Sequence, residues 1–179
     1  KVTFPKRRAI VIGKKIGTLK IINVLLIVQL LLGGVVSGMK AGLAFPTWPL
    51  MNGTYIPFDL LEGSNWTWNN MIEYDSHAFA AAFFQFFHRN IAYLIFILGF
   101  VIFFKWTKVL KNNSYFFNVV MIFIGALCFQ VFIGILTVMN CKGSLPVFLG
   151  VTHQLGAVLI ISSLLYMNYR FIGHARLSE

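Results

Sequence analysis

Four long apolar stretches, separated by polar segments, dominate the hydrophobic pattern of the chain. They lie at about 19–39, 77–104, 115–139 and 145–168. Each is long enough for the roughly 20 residues that a helix needs to cross the hydrocarbon core of a bilayer. The pattern therefore predicts an all-α integral membrane protein, with a four-helix transmembrane bundle over residues 19–170.

The remaining segments are a basic lead at 1–18, an outer loop at 40–75 and a tail at 171–179. The outer loop contains three prolines and three tryptophans. A loop of this length without periodicity is usually either functional or disordered. Because aromatic residues are scarce in disordered segments and common at membrane surfaces, we expect an ordered lid that lies on the membrane.

The composition agrees with a membrane protein and argues against a nucleic-acid-binding protein and against a protein built on cysteine disulfides or a cysteine metal cluster. Charged residues make up 11% of the chain, compared with about 25% in an average soluble domain. The net charge of +10 arises from basic residues between the apolar stretches, so nucleic acid is not an expected partner. Cys128 and Cys141 are too few for a disulfide framework or a metal-ligand cluster, and Cys128 is predicted to be a small buried apolar residue.

The basic residues also predict the orientation of the bundle. Seven lie in or beside the lead, three at 105–111 and two in the tail, whereas the opposite side has Lys40 and Lys142. By the positive-inside rule, both termini and the loop at 105–114 face the cytoplasm, or the matrix of an organelle. Since the chain begins with Lys, we expect it to be processed, trimmed or a piece of a longer protein, without a cleavable signal peptide.

A short internal repeat divides the chain into two predicted helical hairpins, each with a histidine on its second helix. Repeats of this kind often place a site at the interface between the repeated units. The matched positions are Gln29 and Gln130, Gly33 and Gly134, His88 and His153, and Ala92 and Ala157.

His88 and His153 both lie inside apolar stretches, where an ionisable side chain is costly and is a functional-site hypothesis by default. His88 precedes Phe104 by 16 residues, and His153 precedes Arg170 by 17. At about 1.5 Å of rise per residue, both imidazoles lie roughly 24–26 Å from the inner end of their helices. This matched depth suits a cofactor held between facing helices of a bundle.

We predict that the two imidazoles ligate one haem iron, because neutral imidazole is a good axial ligand and haem supplies its own four nitrogens. A bare metal ion needs more ligands, and no Cys, Asp or Glu lies at that depth. The alternative is that each imidazole bonds only a neighbouring backbone or hydroxyl group. Arg89 is predicted to pair with a haem propionate, or else to reach the outer interface. His77 is an interfacial or loop residue without an assigned role.

Three motifs combine residues in a distinctive way. They are Gln85-Phe-Phe-His88-Arg89, the pair His153-Gln154, and the segment from Gly38 to Pro57 with its Lys-Ala-Gly, Thr-Trp-Pro, Asn-Gly and Ile-Pro elements. Together they resemble haem A synthase, and the resemblance covers nearly the whole chain from the first apolar stretch onward.

This resemblance implies which part of such an enzyme the chain corresponds to. Members of the family usually have two four-helix halves, and the N-terminal half binds haem O beside a catalytic Glu three residues before its first histidine. Gln85 stands at that position here, and the outer loop lacks the paired cysteines often found in the N-terminal half. The chain therefore resembles the C-terminal half, which holds haem b between two histidines, and the basic lead would join the halves.

By the same resemblance, His88 and His153 would ligate haem b, and Gln85, Arg89 and Gln154 would contribute to cofactor binding. No catalytic residue is assigned. The implied reaction oxidises the C8 methyl group of haem O to the formyl group of haem A for cytochrome oxidase assembly, and we expect little or no activity from this chain alone.

The resemblance also implies partners and a location. The expected partners are the lipid bilayer, haem O through the absent N-terminal half, haem O synthase and a second copy of the chain. The expected location is a bacterial plasma membrane or the mitochondrial inner membrane. Two other functions remain open at this point, namely a bis-histidine b-type cytochrome that only transfers electrons and a helical bundle without haem that acts as a scaffold.

Overall fold

The computed structural model describes residues 6–110 and 114–176, and its elements in that part of the chain are helical apart from one bridge between Met51 and Thr54. Predictions for residues 1–5 of the lead, 111–113 of the inner loop and 177–179 of the tail lie outside the described residues. The helices are, in chain order, α1 (Lys6–Gly38), α2 (Ala41–Ala44), α3 (Phe58–Leu61), α4 (Trp68–Ile72), α5 (Ala78–Leu110), α6 (Ser114–Met139) and α7 (Val147–Arg176), with a short 3-10 helix (Gly63–Asn65) between α3 and α4.

Four helices in the described part of the chain are long and apolar enough to cross a membrane. Their membrane-spanning segments are Gly17–Gly38, Ala78–Thr107, Phe117–Met139 and Val147–Tyr169. The predicted fold class, an all-α integral membrane protein with four spans, is therefore confirmed. Helix α1 begins at Lys6, so it continues without a break through residue 18, where the sequence predicted the lead to end.

The four long helices form a closed ring, in which α5 packs on α1 and α6, and α7 packs on α6 and α1. Buried side chains from all four helices fill the half of this bundle that is farther from the outer loop, called the inner half below. They include Leu19, Ile22, Ile102, Val120, Phe123, Leu164 and Met167. Because His88 and His153 lie on the outer side of this packed region along their helices, they fall where the apolar core ends.

The outer loop is ordered and packs on the first turns of α5. Its short helices α2, α3 and α4 all contact α5. A second buried cluster joins Ala41, Phe45 and Met51 to Ala81 and Ala82 of α5. This packing holds the start of the loop against the outer end of the bundle.

One sequence-based prediction is wrong: Cys128 is exposed on the outside of the bundle. Its neighbour Leu127 is buried in the core, and successive residues of a helix point about 100° apart. Cys128 is therefore turned towards the surface that lipid would cover. Cys141, just after α6, is the buried cysteine, and burial raises the pKa of its thiol.

Candidate functional site

The outer half of the bundle encloses a cavity of about 480 Å³, lined by residues of all four long helices and of the outer loop. This volume lies within the range of about 300–1,000 Å³ that is usual for small-molecule and cofactor pockets. Its floor is the top of the inner core, formed by Leu26, Ile95, Leu127 and Ile160. The five site residues predicted from the sequence all line this cavity, namely Gln85, His88, Arg89, His153 and Gln154.

His88 enters the cavity from α5 and contacts α1. Its Nε2 lies 3.3 Å from the side-chain nitrogen of Gln29, and which of the two donates depends on the imidazole tautomer. The other ring nitrogen, Nδ1, is buried and has no hydrogen-bond partner among the described residues. The ring lies against Gly33, where a Cβ atom would come within 3.1 Å of Cε1.

His153 enters the same cavity from α7 and contacts α6. Gln130 of α6 donates a hydrogen bond of 2.9 Å from its side-chain nitrogen to the backbone oxygen of His153. The Nδ1 atom of His153 is also buried without a partner in the described part of the chain. Its ring lies against Gly134, where a Cβ atom would come within 2.8 Å of Cε1.

The two imidazoles thus have similar surroundings, with a glycine against each ring and a glutamine nearby on the adjacent helix. These glycines and glutamines are positions that the sequence repeat matched, although the division into two repeated hairpins stays a prediction. The repeat therefore contained a signal that these four residues belong to the site. The sequence analysis matched Gln29, Gly33, Gln130 and Gly134 but did not predict them as site residues.

The arrangement fits a haem better than a bare metal ion. A buried polar atom without a hydrogen bond costs about 1–3 kcal/mol, and here one such nitrogen on each histidine lies beside a largely apolar cavity. In the residues that the structure describes, no group of three or more His, Cys, Asp or Glu side chains could hold a metal ion. Two imidazoles suffice where the bound group brings four equatorial nitrogens of its own.

Arg89 binds the start of the outer loop. Its guanidinium donates hydrogen bonds to the backbone oxygens of Phe45 at 3.2 Å and Thr47 at 2.8 Å, with a longer contact of 3.5 Å to Leu50. A guanidinium has five N–H donors, so these three contacts leave two available. The sequence predicted a propionate or the outer interface for Arg89, and the loop carbonyls were not foreseen.

Gln85 and Gln154 line the cavity in different ways. Gln85 is 3% exposed, and its side-chain nitrogen donates a hydrogen bond of 3.0 Å to the backbone oxygen of Phe45. Its side-chain oxygen is buried without a hydrogen-bond partner in the described structure. Gln154 is exposed at the edge of the cavity. His77 is exposed before α5 and does not line the cavity.

Two aromatic side chains complete the attachment of the outer loop to α5. The indole nitrogen of Trp48 donates a hydrogen bond of 2.9 Å to the hydroxyl group of Tyr93, and both residues line the cavity. Tyr55 donates to the side-chain oxygen of Asn90. Together with Arg89, these bonds hold the loop against α5 beside the cavity.

Comparisons with known protein families and with individual proteins identify the same family. The sequence model of the cytochrome oxidase assembly protein family (COX15-CtaA) matches residues 9–165. A protein named Heme A synthase from Brucella anthropi is 35% identical over 136 residues, which cover 76% of this chain and 35% of that protein. Proteins of the same name from Brucella ovis and Brucella abortus are 35% identical over 138 residues, with the same coverage.

The chain therefore spans about a third of the length of these relatives, since the match covers 35% of each. No solved structure matches the chain significantly.

Proposed function

Because the chain belongs to the COX15-CtaA family of cytochrome oxidase assembly proteins, we propose that it is the haem b-binding half of a haem A synthase. In this proposal His88 and His153 would hold the haem through its iron. The observation that carries it is the pair of imidazoles that line one cavity, each with a buried nitrogen that lacks a partner in the described structure. The chemistry that a bound haem supplies is one-electron transfer.

The polar residues around the cavity have roles that follow from their positions. The two N–H donors that Arg89 has left could bind a propionate, and Lys40 lines the same outer part of the cavity as a second cation. The apolar floor suits the part of the porphyrin without carboxylates. We therefore propose that Arg89 and Lys40 would bind the propionates of the haem.

The complete protein is proposed to oxidise the C8 methyl group of haem O to a formyl group, as the resemblance to haem A synthase implies. The name of the relatives, Heme A synthase, agrees with haem A as the product. If water supplies the formyl oxygen, the conversion of the methyl group releases four protons and four electrons, so it needs an external electron acceptor and a general base that deprotonates the water. No Asp or Glu lies within the four membrane-spanning segments of this chain, so that base would belong to another part of the complete protein. The same cavity would suit a b-type cytochrome that only carries electrons, but the family favours the synthase.

Substitutions of Gln85 and His88 in a complete two-half protein test the proposal that this half binds haem and the other half supplies the general base. Replacing Gln85 by Leu removes one hydrogen bond to Phe45 and should cost about 0.5–1.5 kcal/mol of stability, while haem incorporation and most of the conversion of haem O remain. His88→Ala should instead reduce conversion severely. The measurement is the ratio of haem A to haem O in pigments extracted from membranes.

The isolated chain provides the control for this experiment. We expect it to form no haem A, and Gln85→Glu should not change that, because the pocket for haem O lies in the other half. Haem A formed from haem O by the isolated wild-type chain would contradict the proposal and would mean that this half works alone.

The proposed orientation places both termini and the inner loop at 105–114 in the cytoplasm or matrix. A reporter fused after Ser114 or after Glu179 should therefore be active on the inner side, whereas a reporter inserted near Gly63 should be active on the outer side. An external reporter signal after Glu179, together with an internal one near Gly63, would reverse the proposed orientation.

A further inference from the structure

Each imidazole of the site lies against a glycine of the adjacent long helix. We propose that Gly33 and Gly134 are positioning residues, which set the planes of the His88 and His153 rings and hence the angle between them. This inference rests on the haem site proposed above and adds two residues of this chain to it.

At each of these two glycines, the three atoms nearest to an added Cβ atom belong to a histidine ring. A Cβ atom at Gly33 would lie 3.1, 3.7 and 3.9 Å from three atoms of the His88 ring, and one at Gly134 would lie 2.8, 3.3 and 3.5 Å from the same atoms of the His153 ring. An imidazole is rigid and planar, so it cannot bend away from a new methyl group as a flexible side chain does. It must rotate or its helix must move.

Two other glycines of the same helices, Gly34 and Gly125, have no such contact. A Cβ atom at Gly34 in α1 or at Gly125 in α6 would meet no atom within 4 Å. These two positions are therefore matched controls, with the same substitution in the same helix and without contact to a histidine.

The two sites differ in how firmly the rest of the protein holds the ring. Gln29 contacts the His88 ring itself, whereas Gln130 bonds the backbone of His153 and leaves that ring without a side-chain hydrogen bond in the described structure. The closer approach at Gly134 also leaves less room for a methyl group. We therefore expect the larger effect at Gly134.

Gly156 supports this geometry from the other side. A Cβ atom there would collide with the side-chain oxygen of Gln130, so the glycine leaves room for Gln130 to reach the backbone of His153. The hydrogen bond between Gln130 and the His153 backbone thus depends on space left by Gly156 in α7, whereas the ring itself contacts Gly134 in α6.

The angle between two axial imidazole planes changes the ligand field of a ferric low-spin haem, and electron paramagnetic resonance detects this change in the g values. The full chain would be loaded with haem b in membranes and purified in mild detergent. Gly33→Ala and Gly134→Ala should retain low-spin haem and shift the g values, more strongly for Gly134→Ala. Gly34→Ala and Gly125→Ala should give the wild-type spectrum.

If Gly33 and Gly134 had only a structural role, their replacement by alanine would change the stability of the helices but not the g values, because alanine is a better helix former than glycine. Size-exclusion elution of each variant reports folding separately from the spectrum. If Gly134→Ala fails to fold, the g values of Gly33→Ala test the inference. A Cβ atom at Gly33 would lie farther from the nearest ring atom than one at Gly134, so this variant is more easily accommodated.

Wild-type g values in every variant that folds would overturn the inference and leave the haem site intact. Equal shifts in the control variants would also overturn it, because the effect would then be general to these helices. A wild-type chain that takes up no low-spin haem would overturn the haem proposal and this inference with it.

Discussion

Replacing either His88 or His153 by alanine is expected to abolish the six-coordinate low-spin haem spectrum of the chain. Each change removes one of the two imidazoles that are proposed to ligate the haem iron. Replacing a residue that only hydrogen-bonds a metal ligand often lowers metal affinity by about 10–100-fold. Loss of a ligand itself should therefore lower the affinity at least as much. The measurement is the optical spectrum and haem content of protein purified from membranes with haem available.

Two controls separate loss of a ligand from loss of the fold. His77→Ala removes an exposed imidazole that does not line the cavity, so it should leave the spectrum unchanged. Free imidazole added to His88→Ala or His153→Ala should enter the vacated space and restore a low-spin spectrum. An unchanged spectrum in either single variant would contradict the assignment of both histidines as ligands.

Replacing Arg89 by leucine is expected to loosen the outer loop as well as the site. The change leaves the backbone oxygens of Phe45 and Thr47 without the guanidinium that binds them. A hydrogen bond to a charged group contributes about 1.5–3 kcal/mol, so the loss of stability should be on the order of 3 kcal/mol. Thermal unfolding in detergent and protease cleavage between residues 45 and 75 measure the two effects.

Two further variants make this experiment specific. Lys142→Leu removes the same charge from an exposed position on the same predicted side and should leave both measurements unchanged. Arg89→Lys keeps the charge but loses the forked geometry, so it should restore only part of the stability. If Arg89→Leu lowered haem content without affecting unfolding or cleavage, Arg89 would act on the haem and not as an attachment of the loop.

The sequence predicted the four spans well because their signal is simple. A helix must supply about 20 apolar residues to cross a bilayer, and a run of that length is visible without any knowledge of tertiary contacts. The ends were less well predicted, since α1 continues into the basic lead from Lys6. Nothing in the hydrophobic pattern marks where a helix stops once it leaves the membrane.

The short helices of the outer loop could not be predicted in the same way. Helices of four or five residues, such as α2, α3 and α4, are too short to be stable alone or to show a periodic pattern. They form here while packed on α5. Cys128 illustrates the same limit inside a span, because an unbroken apolar run does not show which face of the helix turns towards lipid.

The candidate site was predicted in part. His88 and His153 were recognisable because ionisable residues are rare in membrane helices. Their glycine and glutamine contacts depend on which helices are neighbours, which the sequence alone does not determine. The bonds of Arg89 to Phe45 and Thr47 use backbone oxygens, which every residue has, so no side-chain pattern could have indicated them.

The spectrum of the wild-type chain tests the central claim most directly. Protein made in membranes with haem available would be purified and examined in its oxidised and reduced forms, with and without carbon monoxide. Two imidazole ligands predict one low-spin b-type haem per chain, with a sharp reduced spectrum that carbon monoxide does not alter. A chain without haem, or a high-spin haem that binds carbon monoxide readily, would contradict the assignment of His88 and His153 as its ligands.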